Sequence, residues 1–121
     1  MALTSNHNLT DQVVYAQASN VSSTSVVYTR APFRGVITKV GVVLSSAAST
    51  ADATCTTSLA GTNITNGVVT VTQSGSAAGS TFSASPSAAN RCNEDDNIGF
   101  TFSGSGTAGG PVTCWAVVRR T

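Results

Sequence analysis

The chain holds few residues able to do chemistry, and their spacing limits what that chemistry could be. His7 is the only histidine, and it lies in a polar, irregular opening stretch from Met1 to Thr10. General acid–base or nucleophilic catalysis needs a base held against an activated group. No G-x-S-x-G, paired-carboxylate or second-histidine arrangement is present to complete one. The abundant serines and threonines read as surface filler, so the expectation is a protein that is not an enzyme. Glu94-Asp95-Asp96 offers the hard oxygens that calcium prefers, but consecutive residues point in different directions and no EF-hand spacing surrounds them. That run reads as a solvated turn. Cys55, Cys92 and Cys114 are odd in number and widely spaced, with no C-x-x-C or Cys/His zinc pattern. They read as buried thiols, with a single disulfide involving Cys92 as the alternative. Gly104-Ser105-Gly106 and Gly109-Gly110 lack the Lys-Ser/Thr and following helix of a phosphate loop. No cofactor and no metal are expected.

The elements that would carry these residues are strands. Arg34 to Leu44 is the longest strand-favouring run, with five β-branched aliphatics and two glycines that argue against a helix. Strict alternation places Val36, Val40, Val42 and Leu44 on one face with Thr38, and Ile37, Lys39, Gly41 and Val43 on the other. This predicts a central strand, half-buried at its start and buried on both faces at its end, where a sister subunit or another strand would cover the second face. Further strands are expected at Val13–Ala18, Val26–Arg30, Ala51–Leu59, Val68–Thr72, Ser80–Ala84, Ile98–Phe102 and Val112–Arg119. Cys55 falls in phase with Ala53 and Leu59, and Cys114 with Val112, Ala116 and Val118. Asn66-Gly67 has the composition of a hairpin turn. Gln73 to Gly79 reads as a flexible link and Ser103 to Gly110 as a glycine-rich loop. No stretch has a convincing amphipathic helical period.

Eight short strands separated by turn signals predict an all-β fold, an eight-stranded jelly-roll-type β-sandwich without substantial helix. An immunoglobulin-like sandwich is disfavoured because Trp115 follows all three cysteines instead of lying between two of them. The length of 121 residues suits one domain, expected over residues 11–121 behind a flexible N-terminal arm at 1–10. That arm is either a frayed end or a segment that orders on a partner.

Only 9% of residues are charged, with a net charge of +1, so solubility rests on hydroxyl and backbone groups and general nucleic-acid binding has no electrostatic basis. Little charge repulsion separates copies, which favours life inside an assembly. No apolar stretch reaches the ~20 residues that span a membrane, and Met1 to Asp11 lacks the basic and apolar regions of a signal peptide. The expectation is a protein with no nucleic-acid or membrane partner. Candidate partner-binding residues are Leu3, His7 and Leu9 in the arm and the Arg119-Arg120 pair. The pair reads as solvated beside a sheet edge, with an ion pair to a partner protein as the sharper alternative.

Several phrases resemble small decoration (cement) proteins of tailed bacteriophages. They are Ala31-Pro32-Phe33-Arg34-Gly35-Val36-Ile37-Thr38-Lys39-Val40, Ala51-Asp52-Ala53-Thr54, Gly75-Ser76-Ala77-Ala78-Gly79, Ser85-Pro86-Ser87-Ala88-Ala89-Asn90 and the acidic turn leading into Ile98. The resemblance covers roughly residues 31–102. It departs at Asp95-Asp96, where such proteins usually carry Gly-Asp, and at Arg91-Cys92, where small aliphatics are usual. The resemblance implies a jelly roll, commonly a homotrimer, made in the host cytoplasm and fixed on the virion exterior. There it would bridge neighbouring capsomers of the major capsid protein and stabilise the shell. An alternative of another class is a glycan- or receptor-binding jelly-roll module of a phage fibre or tail. Its sugar contacts would fall to Trp115, Tyr15 and Tyr28, all within predicted strands.

Overall fold

A computed structural model describes residues 11–19, 26–49, 51–104, 107–108 and 111–121. Eight longer strands follow one another as β1 (Asp11–Ala18), β2 (Val26–Arg30), β3 (Gly35–Leu44), β5 (Ala53–Leu59), β6 (Thr62–Val71), β7 (Thr81–Ala84), β9 (Asn97–Gly104) and β11 (Val112–Arg120). Three two-residue strands lie between them: β4 (Ala48–Ser49), β8 (Arg91–Cys92) and β10 (Thr107–Ala108). No helix occurs among the described residues.

The pairing is that of a jelly roll. Among the longer strands the first pairs with the last (β1–β11), the second with the seventh (β2–β9), the third with the sixth (β3–β7) and the fourth with the fifth (β5–β6). One long antiparallel ribbon is thus rolled so that its pairs join into two sheets, β1-β11-β3-β7 and β2-β9-β5-β6, facing each other. Rolling leaves each sheet one face for the core and one for solvent.

The core lies between the sheets. Val112, Cys114, Ala116 and Val118 of β11 and Ile37, Val40, Val42 and Leu44 of β3 face Ile98, Phe100 and Phe102 of β9 and Ala53, Cys55 and Leu59 of β5, all buried. Strict alternation fails within β3. Val117 pairs with Lys39 and Val118 with Ile37, so Thr38 is an extra residue, a β-bulge. The bulge turns both Ile37 and Val40 inward and leaves Val36 and Thr38 half-buried, correcting the expected face assignment before Val40. Burying Ile37 outweighs an unbroken ladder, because a large aliphatic side chain contributes about 1.5–3 kcal/mol on burial.

The tip of the ribbon also differs from expectation. Ala60 and Gly61, both at positive φ (51° and 88°), make the two-residue β5–β6 turn between the paired Leu59 and Thr62. That is the backbone requirement of the hairpin turn that right-twisted strands accept best. Asn66-Gly67 instead belongs to a wide excursion of β6. Thr56 pairs with Val68 and Ser58 with Asn63, so the residues from Ile64 to Gly67 oppose Thr57 alone. The excursion is fastened to the following loop, since Thr65 N–H donates to Ala88 O (3.0 Å), Ser87 N–H to Thr65 O (3.0 Å) and Asn66 Nδ2 to Ser87 Oγ (2.8 Å). Asn-Gly supplies a left-handed residue, Asn66 at φ 60°, without specifying whether it closes a hairpin or opens a bulge.

Nor is Gln73 to Gly79 a loose link. Ala48 N–H donates to Ser76 Oγ (3.0 Å), the Ser76 hydroxyl lies 2.9 Å from Gln73 O, and Gly79 N–H donates to Leu44 O (2.7 Å). Small hydroxyl residues here replace backbone partners and tie the segment to the end of β3. The stretch read as a glycine-rich loop after Ser103 contains β10, which pairs with β4.

Thr57 is fully buried, in phase with Cys55 and Leu59, and its hydroxyl has no hydrogen-bond partner among the described residues. A buried, unpaired hydroxyl costs about 1–3 kcal/mol. Thr57→Val keeps the shape and removes that cost. It is expected to raise stability by roughly 1 kcal/mol, read as a higher urea midpoint at unchanged slope. A lower midpoint would mean the hydroxyl is satisfied.

Candidate functional site

The charges, dispersed in sequence, are gathered in space. β3 begins where β11 ends, with Gly35 opposite Arg120, and β2 ends where β9 begins, with Arg30 opposite Asn97. The short β2–β3 connection joins these ends, and Ala31 exchanges backbone hydrogen bonds with the acidic turn through Asp96 O and Asp95 N–H, both 2.9 Å. Arg30, Arg34, Arg91, Arg119, Arg120, Asp11, Glu94, Asp95 and Asp96 therefore share one pole of the sandwich. Of the charged side chains, only Lys39 and Asp52 lie elsewhere. Beyond Asp52, the described loops of the opposite pole consist of neutral Ser, Thr, Ala, Gly and Gln with Pro111.

Within the charged pole most groups are satisfied internally. Arg119 makes a two-pronged pair with Asp11, Nε to Oδ1 at 2.9 Å and Nη2 to Oδ2 at 3.2 Å. The Arg119 guanidinium holds the Asp11 carboxyl below its ordinary range, and Asp11 raises Arg119 in return. A depressed carboxylate pKa contributes stability above the ordinary carboxylate range and loses it as pH falls through the folded value. Here both groups are well exposed, so the contribution is small. Arg30 meets Asp95 at 3.2 Å, and the Arg120 guanidinium lies 4.1 Å from the centre of the Phe33 ring. Asp96 Oδ2 accepts from Asn93 N–H (2.8 Å), closing the acidic turn, and Asp95 takes φ 73°. Asp95 and Asp96 thus point to separate partners, and no group of three His, Cys, Asp or Glu residues suited to a metal occurs among the described residues.

Arg119 and Arg120 do not flank a sheet edge. β11 lies between β1 and β3, and the end strands of that sheet are β1 and β7. A strand that is apolar on both faces is placed centrally because both its neighbours then gain from pairing with it. Leu3, His7 and Leu9 lie outside the described residues.

The three cysteines are free and buried. Cys55 of one sheet faces Cys114 of the other across the core, and this neighbouring thiol together with burial pushes the Cys55 thiol far above its ordinary range. Burial also raises Cys92, partly offset by the backbone of Gly35. Thiols held protonated in this way are poor nucleophiles.

Two clefts open at the charged pole, both bordered by Arg91. One, of about 610 Å³, has Val36, Leu59 and Ala88 in its walls, and the other, of about 410 Å³, lies between Arg34 and Arg91. Sequence reading missed Arg34 and Arg91 as a pair because only the β3–β8 register brings them together.

The outer sheet faces carry exposed apolar groups. On the first sheet Val13 and Tyr15 of β1 adjoin Val117 and Trp115 of β11, and Tyr15 is 63% exposed. Trp115 in turn lies over Gly41 of β3, where a Cβ would collide with the indole ring. The second face of β3, expected to meet a sister subunit or another strand, is therefore covered in part by this chain's own tryptophan. The same device recurs on the second sheet, where Tyr28 lies over Gly99 with its Cε1 3.0 Å from where a Cβ would stand. Tyr28 is 61% exposed, and with Val26 it stands on the side of the sandwich opposite Tyr15 and Trp115. The three aromatics consequently do not converge on one sugar-sized site.

Comparison with protein-family models, curated proteins and solved structures finds no match to this chain.

Proposed function

We propose that this protein is a capsid decoration protein that binds the outside of a phage head as an oligomer, bridges neighbouring capsomers of the major capsid protein and stabilises the shell. The observation that carries this reading is the distribution of contact-making groups over the jelly roll. Nearly all charge is collected at one pole, while apolar side chains stand on the outer sheet faces. That is a surface organised for several simultaneous protein contacts. The resemblance over residues 31–102 supports the same conclusion.

The mechanism is mechanical. A homotrimer, the assembly implied by the resemblance, forms through apolar strand faces, for which Val13, Tyr15, Trp115 and Val117 are the candidates. One pole meets the shell. Each copy adds buried area across seams that packaged DNA strains. Linked contacts made by several copies bind more tightly than any one of them, because each first contact raises the effective concentration for the next.

The test is direct. Particles carrying the protein are expected to survive heating and osmotic shock that open particles stripped of it, and adding the purified protein back restores resistance. Equal resistance with and without the protein would remove the stabilising role. Imaging of the assembly should show it in hundreds of copies on the shell. A handful at the tail would place it there instead.

A further inference from the structure

We propose that the cleft between Arg34 and Arg91 is a docking site for a carboxylate side chain of a partner protein, presented on a segment with an apolar residue beside the acid. In β8 the Gly35–Cys92 and Val36–Arg91 register sends Gly35 and Cys92 toward the core. Side chains alternate, so Arg91 must project to the opposite face, and continuing the register sets Arg34 on that face too. The two arginines are then diagonal cross-strand neighbours, about 7–8 Å apart and somewhat closer at their Cβ atoms. That spacing lets two guanidinium forks close on one carboxylate from either side.

Their lack of partners is the second observation. Arg30, Arg119 and Arg120 each have a carboxylate or a ring within the chain. Among the described residues neither the Arg34 nor the Arg91 side chain has an ion-pair, hydrogen-bond or ring partner. Two like charges on one face of a strand pair repel, so an arriving anion gains from both. The cleft walls add Asn93 and Thr121 and no acidic side chain. Across Arg91 the larger cleft is mixed, with Val36, Leu59 and Ala88 in its walls beside Asn90 and Asp96, whose carboxylate already accepts from Asn93 N–H at 2.8 Å. An acid in the first cleft and an aliphatic residue in the second describe a peptide segment better than a free inorganic anion.

The site stands whatever assembly the pole meets, and its test does not pass through particle stability. Amide chemical shifts of the intact protein are followed while a blocked pentapeptide with two glutamates and a leucine is added. Perturbations are expected at Arg34, Gly35, Val36, Arg91, Cys92, Asn93 and Thr121, and not when glutamines replace the glutamates. Arg34→Gln with Arg91→Gln is expected to weaken binding about tenfold or more, a loss of at least ~1.4 kcal/mol. Arg30→Gln, the same charge change at an already paired arginine of the same pole, is expected to leave it within about twofold. The proposal is overturned if the peptide leaves those amides unmoved or if Arg30→Gln costs as much. It is also overturned if inorganic phosphate at equal concentration shifts the same amides as strongly as the peptide.

Discussion

Val42→Asp is expected to yield a chain that does not fold, while Lys39→Ala, three residues away, folds normally. Val42 has no exposed surface and sits in the middle of β3, paired with Cys114 on one side and Phe82 on the other. A carboxylate placed there loses its hydration without gaining a partner, at an effective cost of several kcal/mol. The valine's own burial, worth about 1.5–3 kcal/mol, is lost as well. A domain of this size has about 5–15 kcal/mol in all, and its core, with Phe100 and Phe102 as its largest members, leaves little margin. Lys39 is exposed beside the β-bulge, and its truncation should stay within about 0.5 kcal/mol. Far-UV circular dichroism and amide dispersion decide both cases. A folded Val42→Asp protein would mean that β3 is not the centre of the sheet.

Gly41→Ala is the second large effect, although it adds one methyl group on the solvent side of the sheet. A Cβ at Gly41 meets the indole of Trp115 and comes within 2.6 Å of Phe82 O. Overpacking of this kind costs about 1–3 kcal/mol. The two obstacles differ in kind: Trp115 can swing away, whereas the Phe82 carbonyl belongs to the paired strand β7. Trp115→Leu in the Gly41→Ala background is therefore expected to recover part of the loss and not all of it. The four proteins of this double-mutant cycle, compared by urea unfolding, give the coupling directly. A neutral Gly41→Ala would show that the tryptophan does not lie over β3. The same experiment bears on assembly, since a displaced Trp115 changes the face that carries Val13, Tyr15 and Val117.

The expected strands reappear as the eight longer strands, because period-two alternation of β-branched and apolar residues is a local property that burial on one face imposes. Phe100 and Phe102 with Ile98, and Val112, Cys114, Ala116 and Val118, lie inward in the phase their spacing predicts. Turn chemistry was legible only in part. Asn66-Gly67 signals a left-handed residue, but whether the chain closes a hairpin there depends on Ile64 finding a place in the core and on Ser87 and Ala88 offering partners. The bulge at Thr38 follows from the competing demands of Ile37 and Val40 for the same core, which alternation alone cannot register.

Sequence alone determined the all-β class, the jelly-roll expectation, the inward set of most strands and the scarcity of groups able to do chemistry. Those follow from residue type and from neighbours close along the chain. Tertiary structure decided what depends on pairing between distant segments. It set β11 between β1 and β3, laid Trp115 over Gly41, joined Asp11 to Arg119, and gathered at one pole arginines that span residues 30 to 120. The physical reason is the rolled ribbon itself. Partners in a jelly roll are set by the register of antiparallel strands up to a whole chain apart, so Arg34 and Arg91 become neighbours only when Gly35 pairs with Cys92.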